Sequence, residues 1–172
     1  AKVTRDRIMK QYDLVFPDYA FGKHKGYGTK NHIEKIKLHK AVPIHRKTFN
    51  PVPKYLPSIA FYKHNKLIET LGIQLVACRM IRNNYFILKI NYISQDHRKV
   101  DIIAEQNNII NFISVKTNVI DSMNQIESIH FLHDKNNIND DLASSFINDN
   151  NLDLEYKYQN FLVTIGNGKP EI

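Results

Sequence analysis

The sequence predicts an α/β protein: a basic, helical first segment followed by a small mixed sheet flanked by helices. Three observations carry this. After residue 57, stretches of helical and strand periodicity follow in the order α-β-β-β-α-β, an order that builds a sheet with helices packed on it. Before residue 57 the pattern is helical and broken by proline- and glycine-rich stretches, with five of the six prolines falling there. Charge divides at the same point: residues 1–57 carry 13 Lys and Arg against 4 Asp and Glu, net +9, whereas residues 58–172 carry 11 against 13, net −2. These shifts place a boundary near residue 57 and give two parts, 1–57 and 58–172.

In the first part, residues 2–15 read as a helix with Val3, Ile8, Tyr12 and Val15 on one side and Arg5, Arg7 and Lys10 outside. Pro17 ends it. Residues 17–29 form a glycine- and aromatic-rich loop. Thr29 caps a second helix that runs to about Lys40, turns Ile33 and Ile36 inward, and stops before Pro43. Asn50 to Pro57 reads as a linker, because prolines at 51, 53 and 57 oppose both helix and central strand.

In the second part, residues 60–82 read as one helix, with Leu67, Leu71, Gln74, Leu75 and Cys78 near one face. Residues 85–94 form a strand. Residues 99–105 and 109–117 form a hairpin about the turn Gln106-Asn107-Asn108. Helices are expected over 122–135 and 141–148, and strands over 153–158 and 160–165. Gly166-Asn167-Gly168 is a turn, since no strand, glycine loop and helix surround it as a phosphate loop requires.

Size and composition bound the function. The 172 residues are 42% apolar and 24% charged, enough to fold around a modest core. No apolar run approaches the ~20 residues of a membrane span. A lone cysteine, Cys78, excludes an internal disulfide framework and a cysteine-rich zinc module, and its apolar helix face makes it a buried small hydrophobe. No secretory leader is visible, so the expected location is the cytoplasm. The start at Ala1, without Met, leads us to expect a fragment or a processed chain. Oligomeric state is not set by these features.

The stretch Lys23-His24-Lys25-Gly26-Tyr27-Gly28-Thr29 carries the clearest chemistry. Glycines let backbone approach a ligand closely, basic groups hold phosphate, and an aromatic ring stacks on sugar or base. The competing reading is an ordinary solvated basic loop.

The exact strings weigh against that second reading. Ala1 to Arg7, Phe16-Pro17-Asp18-Tyr19-Ala20-Phe21, His24 to Thr29, His32, and His45-Arg46-Lys47-Thr48-Phe49 stand in an order and spacing that resembles the C-terminal part of bacterial ribonuclease HII, over roughly residues 1–52. The resemblance implies an incomplete ribonuclease H-like segment. It also implies contact with RNA–DNA hybrids: Tyr27 by the ribonucleotide junction, Lys23, Lys25 and Arg46 near the backbone, and Gly26, Thr29 and His45 in the same surface. That family cuts with four carboxylates and divalent metal, and those carboxylates precede the point where this chain begins. Asp6, Asp13, Asp18 and Glu34 do not replace them as a cluster.

A second constellation lies on the hairpin. Asp101 sits on one strand, and Ser114 and Lys116 share a face of the next. A carboxylate opposite an acid-x-Lys strand is how PD-(D/E)xK nucleases hold Mg²⁺ or Mn²⁺ and place a water-activating lysine. The plainer reading is a cross-strand ion pair. Gly72-Ile73-Gln74-Leu75-Val76-Ala77, Val100-Asp101-Ile102-Ile103-Ala104 and Phe112-Ile113-Ser114-Val115-Lys116-Thr117 resemble the YraN family of endonuclease-fold proteins. Ile73, Lys99 and Ser114 stand where that family has acids. The resemblance therefore implies a degenerate restriction-endonuclease-like site in which Asp101, as metal ligand, and Lys116 remain. Glu69, one helical turn before Ile73, is a partial substitute. His130, His133 and Asp134 fall at helical spacing but lack an assured third ligand.

The expected function is nucleic-acid binding, to RNA–DNA hybrid or duplex DNA, by a chain impaired in catalysis. The alternatives are a metal-dependent nuclease, working through Asp101 and Lys116 or through carboxylates upstream of Ala1, and a non-catalytic partner-binding module.

Overall fold

The computed structural model describes residues 2–120 and 140–166. The helix expected over 122–135, the group His130, His133 and Asp134, and the turn residues after Gly166 lie outside the described residues. Those described form a mixed α/β structure of six α-helices and a four-stranded mixed sheet. They divide into two compact units, 1–82 and 83–172, so the compositional boundary near 57 falls inside the first.

The first unit begins with α1 (Lys2–Val15), which buries Gln11, Tyr12 and Val15. The stripe expected from Val3 onward is covered only at its C-terminal end: Val3 is 83% exposed. Pro17 opens a short 3-10 turn, Pro17–Tyr19, and Ala20 in the left-handed region turns the chain into α2 (Phe21–His24). The loop expected over 17–29 is therefore partly helical. Phe16, Tyr19 and Phe21 bury their rings together, with Tyr19 and Phe21 stacked at 5.6 Å. Thr29 caps α3 (Lys30–His39) as expected, its hydroxyl accepting from the His32 N–H at 3.2 Å.

The proline-rich stretch forms neither α-helix nor strand and packs back on the chain. Val52–Tyr55 forms a 3-10 turn, Val52 is buried, and the Tyr55 carbonyl accepts from the Ala41 N–H at 2.8 Å. The single helix expected over 60–82 is two, α4 (Ile59–His64) and α5 (Ile68–Arg82). Between them Lys66 has φ 56°, the Lys66 N–H donates to Lys63 O, and the Leu67 N–H donates to Tyr62 O. This is a Schellman stop made without glycine. Cys78 is buried on α5, and burial pushes its thiol up to about 12.

In the second unit, β1 (Phe86–Ile93), β2 (Lys99–Gln106) and β3 (Ile109–Val119) form an antiparallel meander, and β4 (Glu155–Ile165) lies parallel to β3. Asn107 and Asn108 both take positive φ, 54° and 63°. They make the two-residue turn that matches strand twist. The parallel pair needs a crossover, and α6 (Asp140–Asp149) lies in it. The two strands expected over 153–165 are one. Gln159 stays in it because its amide donates to the Oδ1 of fully buried Asn111 at 3.0 Å.

Apolar burial holds the layers. Leu142, Ala143 and Phe146 of α6 pack on Val100, Ile103, Ile110 and Phe112. Phe146 meets Phe112 edge-on at 5.7 Å and Tyr92 at 5.2 Å. The Tyr156 and Tyr158 hydroxyls donate to Asp140 Oδ1, each at 3.1 Å, fixing the start of α6 over β4. Phe146→Ala should lower stability by about 3–5 kcal/mol, read as a fall in the urea midpoint of this unit. An unchanged midpoint would contradict this packing.

Candidate nucleic-acid interface

The basic loop is built by the end of α2. Lys25 turns left-handed (φ 55°), and Gly26 follows at φ 73°, a region where glycine has no steric cost. The Gly26 N–H donates to His24 Nδ1 at 3.1 Å. His24 Nε2 lies 2.6 Å from the Tyr19 carbonyl, an acceptor, so this ring carries its proton on Nε2. The loop is thereby tied to the aromatic core beneath it.

That core holds two more imidazoles. The Val42 N–H donates to His45 Nδ1 at 2.9 Å, which leaves the His45 proton on Nε2. His45 Nε2 lies 3.3 Å from His32 Nε2 and donates to it, so the His32 proton sits on Nδ1. Among the described residues that buried Nδ1 has no hydrogen-bond partner. The His24 and His32 rings are 4.3 Å apart, and the His32 and His45 rings 5.2 Å. Phe21 packs against all three. A cavity of about 590 Å³ opens beside this group, with His32, His45, Gly26, Arg46 and Arg5 among its lining.

The structure brings most of the sequence-predicted interface residues to one place. Lys23 and Arg46 are exposed. Tyr27 is 60% exposed and presents its ring at the surface. Lys25 is drawn inward, its ammonium donating to the Gly22 carbonyl. Thr29 spends its hydroxyl oxygen on the α3 cap, and His45 spends both nitrogens internally.

Sequence reading missed two features. Arg5 lies on the outside of α1, as its helical phase required, yet it reaches Tyr27: the guanidinium stands 4.4 Å over the ring. No spacing rule connects residues 22 apart. The histidine cluster was equally hidden, since its members come from α2, α3 and the segment after α3.

The hairpin constellation is engaged differently. Beyond the last paired residues Ile102 and Ile113, Asp101 Oδ2 accepts the Val115 N–H at 2.8 Å. Its Oδ1 pairs with the Lys99 ammonium at 3.0 Å. Lys116 is exposed on β3. Glu105 accepts the Asn108 N–H within the turn. A divalent cation at Asp101 would have to displace a lysine, and Ser114 offers no second carboxylate. Mg²⁺ or Mn²⁺ does not fit this donor set. Among the described residues no group of three or more His, Cys, Asp or Glu side chains is arranged to hold a metal ion, and no helix is long and apolar enough to cross a membrane.

Burial, then the neighbouring His24 and His45, holds the His32 imidazole down at about 4, and burial also lowers His45. An unfolded histidine titrates near pH ~6.5. Folding thus keeps both rings neutral, and their contribution is complete above that value. Stability should fall as pH drops from about 6.5 toward 4, where the unfolded chain takes up protons that the folded chain refuses. Urea midpoints of the unit 1–82 at pH 7.5 and 5 should differ in that direction. His32→Phe should flatten the difference; an equally steep fall in that variant would contradict the assignment.

No family model matches the chain. Curated relatives are named ribonuclease HII. That of Acholeplasma laidlawii is 59% identical over 56 residues, 33% of this chain and 28% of that protein. That of Limosilactobacillus reuteri is 54% identical over 56 residues, 33% of this chain and 22% of that protein. That of Bacillus pumilus is 58% identical over 52 residues, 30% of this chain and 20% of that protein. The chain spans between a fifth and about a quarter of the length of these relatives, and about a third of it is similar to ribonuclease HII.

Proposed function

We propose that residues 1–57 are a ribonuclease HII-type C-terminal segment that grips the backbone of an RNA–DNA hybrid or duplex DNA without cutting it. The observation that carries this reading is the exposed Tyr27 ring on a glycine turn between lysines, in a segment of net charge +9. Backbone charge supplies most affinity for nucleic acid, and an aromatic face adds a contact that tolerates any base. The similarity to relatives named ribonuclease HII supports it. Lys23 and Arg46 act as phosphate contacts, and Lys25, whose ammonium is turned in to the Gly22 carbonyl, adds its charge from within the loop. Gly26 and Thr29 shape the loop, and His45 supports it from below.

We infer further that residues 58–172 include a worn YraN-like domain of the restriction-endonuclease type. Its supports are the mixed sheet with Asp101 and Lys116 on adjacent strands, and the use of the Asp101 carboxylate to complete the ladder at Val115. In this reading Asp101 has become structural and the site is impaired.

Titration of the purified chain into a fluorescent RNA–DNA hybrid tests the first reading. Binding should weaken steeply between 50 and 200 mM salt, and Lys23→Ala or Arg46→Ala should each reduce the salt slope by about one. A flat dependence, or no binding at low salt, would overturn it. For the second, Asp101→Ala should leave hybrid affinity unchanged and cost about 1–3 kcal/mol of stability, read by urea unfolding. Unaltered stability would contradict a structural role for this carboxylate.

A further inference from the structure

Arg5 makes three contacts with the loop. Its guanidinium carbon stands 4.4 Å over the centre of the Tyr27 ring, Nη1 donates to the Tyr27 hydroxyl at 3.2 Å, and Nη2 donates to the Lys25 carbonyl at 2.9 Å. Two of these hold the aromatic ring by face and edge. The third holds the left-handed residue that begins the turn, where Lys25 and Gly26 both have positive φ. A guanidinium only donates, so the Tyr27 oxygen accepts from Arg5 and the phenolic proton remains for an outside acceptor.

We propose that Arg5 is a positioning residue for Tyr27. It fixes the ring and the turn so that the phenol O–H is presented to an acceptor oxygen of the nucleic-acid backbone, a phosphate or a ribose oxygen. This rests on the reading that Tyr27 faces nucleic acid. It assigns Arg5 a task distinct from the phosphate contacts of Lys23 and Arg46: it acts through Tyr27, by shape as much as by charge. Lysine keeps the charge but lacks the planar fork that stacks and donates twice.

The test compares the full chain with Arg5→Ala, Arg5→Lys, Tyr27→Phe and the double variant Arg5→Lys/Tyr27→Phe, on an RNA–DNA hybrid and on the all-DNA duplex of the same sequence. Both Arg5 variants should weaken hybrid binding about 3- to 10-fold. Arg5→Lys should keep the wild-type salt slope, and it should have less than about a twofold effect once Tyr27 is Phe, as residues acting on one another require. A loss confined to the hybrid would identify a ribose oxygen as acceptor; an equal loss on both duplexes would identify phosphate. Full hybrid affinity of Arg5→Lys, or additive losses in the double variant, would overturn the proposal. Tyr27 ring-proton shifts, read by NMR without nucleic acid, should move in Arg5→Lys. If wild type binds no hybrid yet those shifts move, the nucleic-acid reading has failed and the Arg5–Tyr27 coupling stands. If they do not move, the coupling itself is wrong.

Discussion

One amide fixes the geometry of the basic surface. The Gly26 N–H donates to His24 Nδ1, and the same ring is held from its other nitrogen by the Tyr19 carbonyl. A lysine-rich turn repels itself and has little apolar area with which to fold; left alone it would sample many conformations. Here its backbone hangs on His24, which packs against buried aromatic rings and against His32 and His45, two imidazoles whose proton affinity burial lowers. Positive charge lies outside on Lys23, Arg5 and Arg46, and the rings beneath add none while they stay neutral. Tyr27 can therefore stand out at the surface in one orientation, with Arg5 against its face.

The hairpin of the second unit shows a carboxylate taken up by the fold. Asp101 is part of the ladder, taking a backbone N–H on one oxygen and a lysine on the other. The ion pair is worth about 0–1 kcal/mol because Lys99 is half exposed, and the bond to Val115 carries more. A lone carboxylate satisfied in this way serves the fold. Cleavage by a two-metal route requires several such groups left unsatisfied by the protein and aimed at one point.

Much of the fold was legible. Helical phase placed α1, the hydroxyl of Thr29 marked the start of α3, and Asn107-Asn108 marked the hairpin because asparagine tolerates positive φ. What failed were stops and joins without a sequence signal. Lys66 ends α4 in a conformation usually taken by glycine, and Gln159 continues β4 because a buried Asn111 across the ladder satisfies it. Prolines 51 and 53 marked a linker without α-helix or central strand, but no sequence signal showed that Val52 between them is buried in a 3-10 turn. In the candidate site, the run from Lys23 to Thr29 was visible as a string. The support beneath it was not, because His24, His32 and His45 meet only after three separate segments fold together, and the partner of Tyr27 lies 22 residues earlier.

Holding without cutting is read most directly in one tube. A labelled RNA–DNA hybrid is mixed with the full chain in Mn²⁺ at low salt, then divided between a native gel and a denaturing gel. The hybrid should be retarded on the first and full length on the second. Shortened strands that vanish with Asp101→Ala would show that this carboxylate still works with a metal, and would contradict the assignment of Asp101 to the fold.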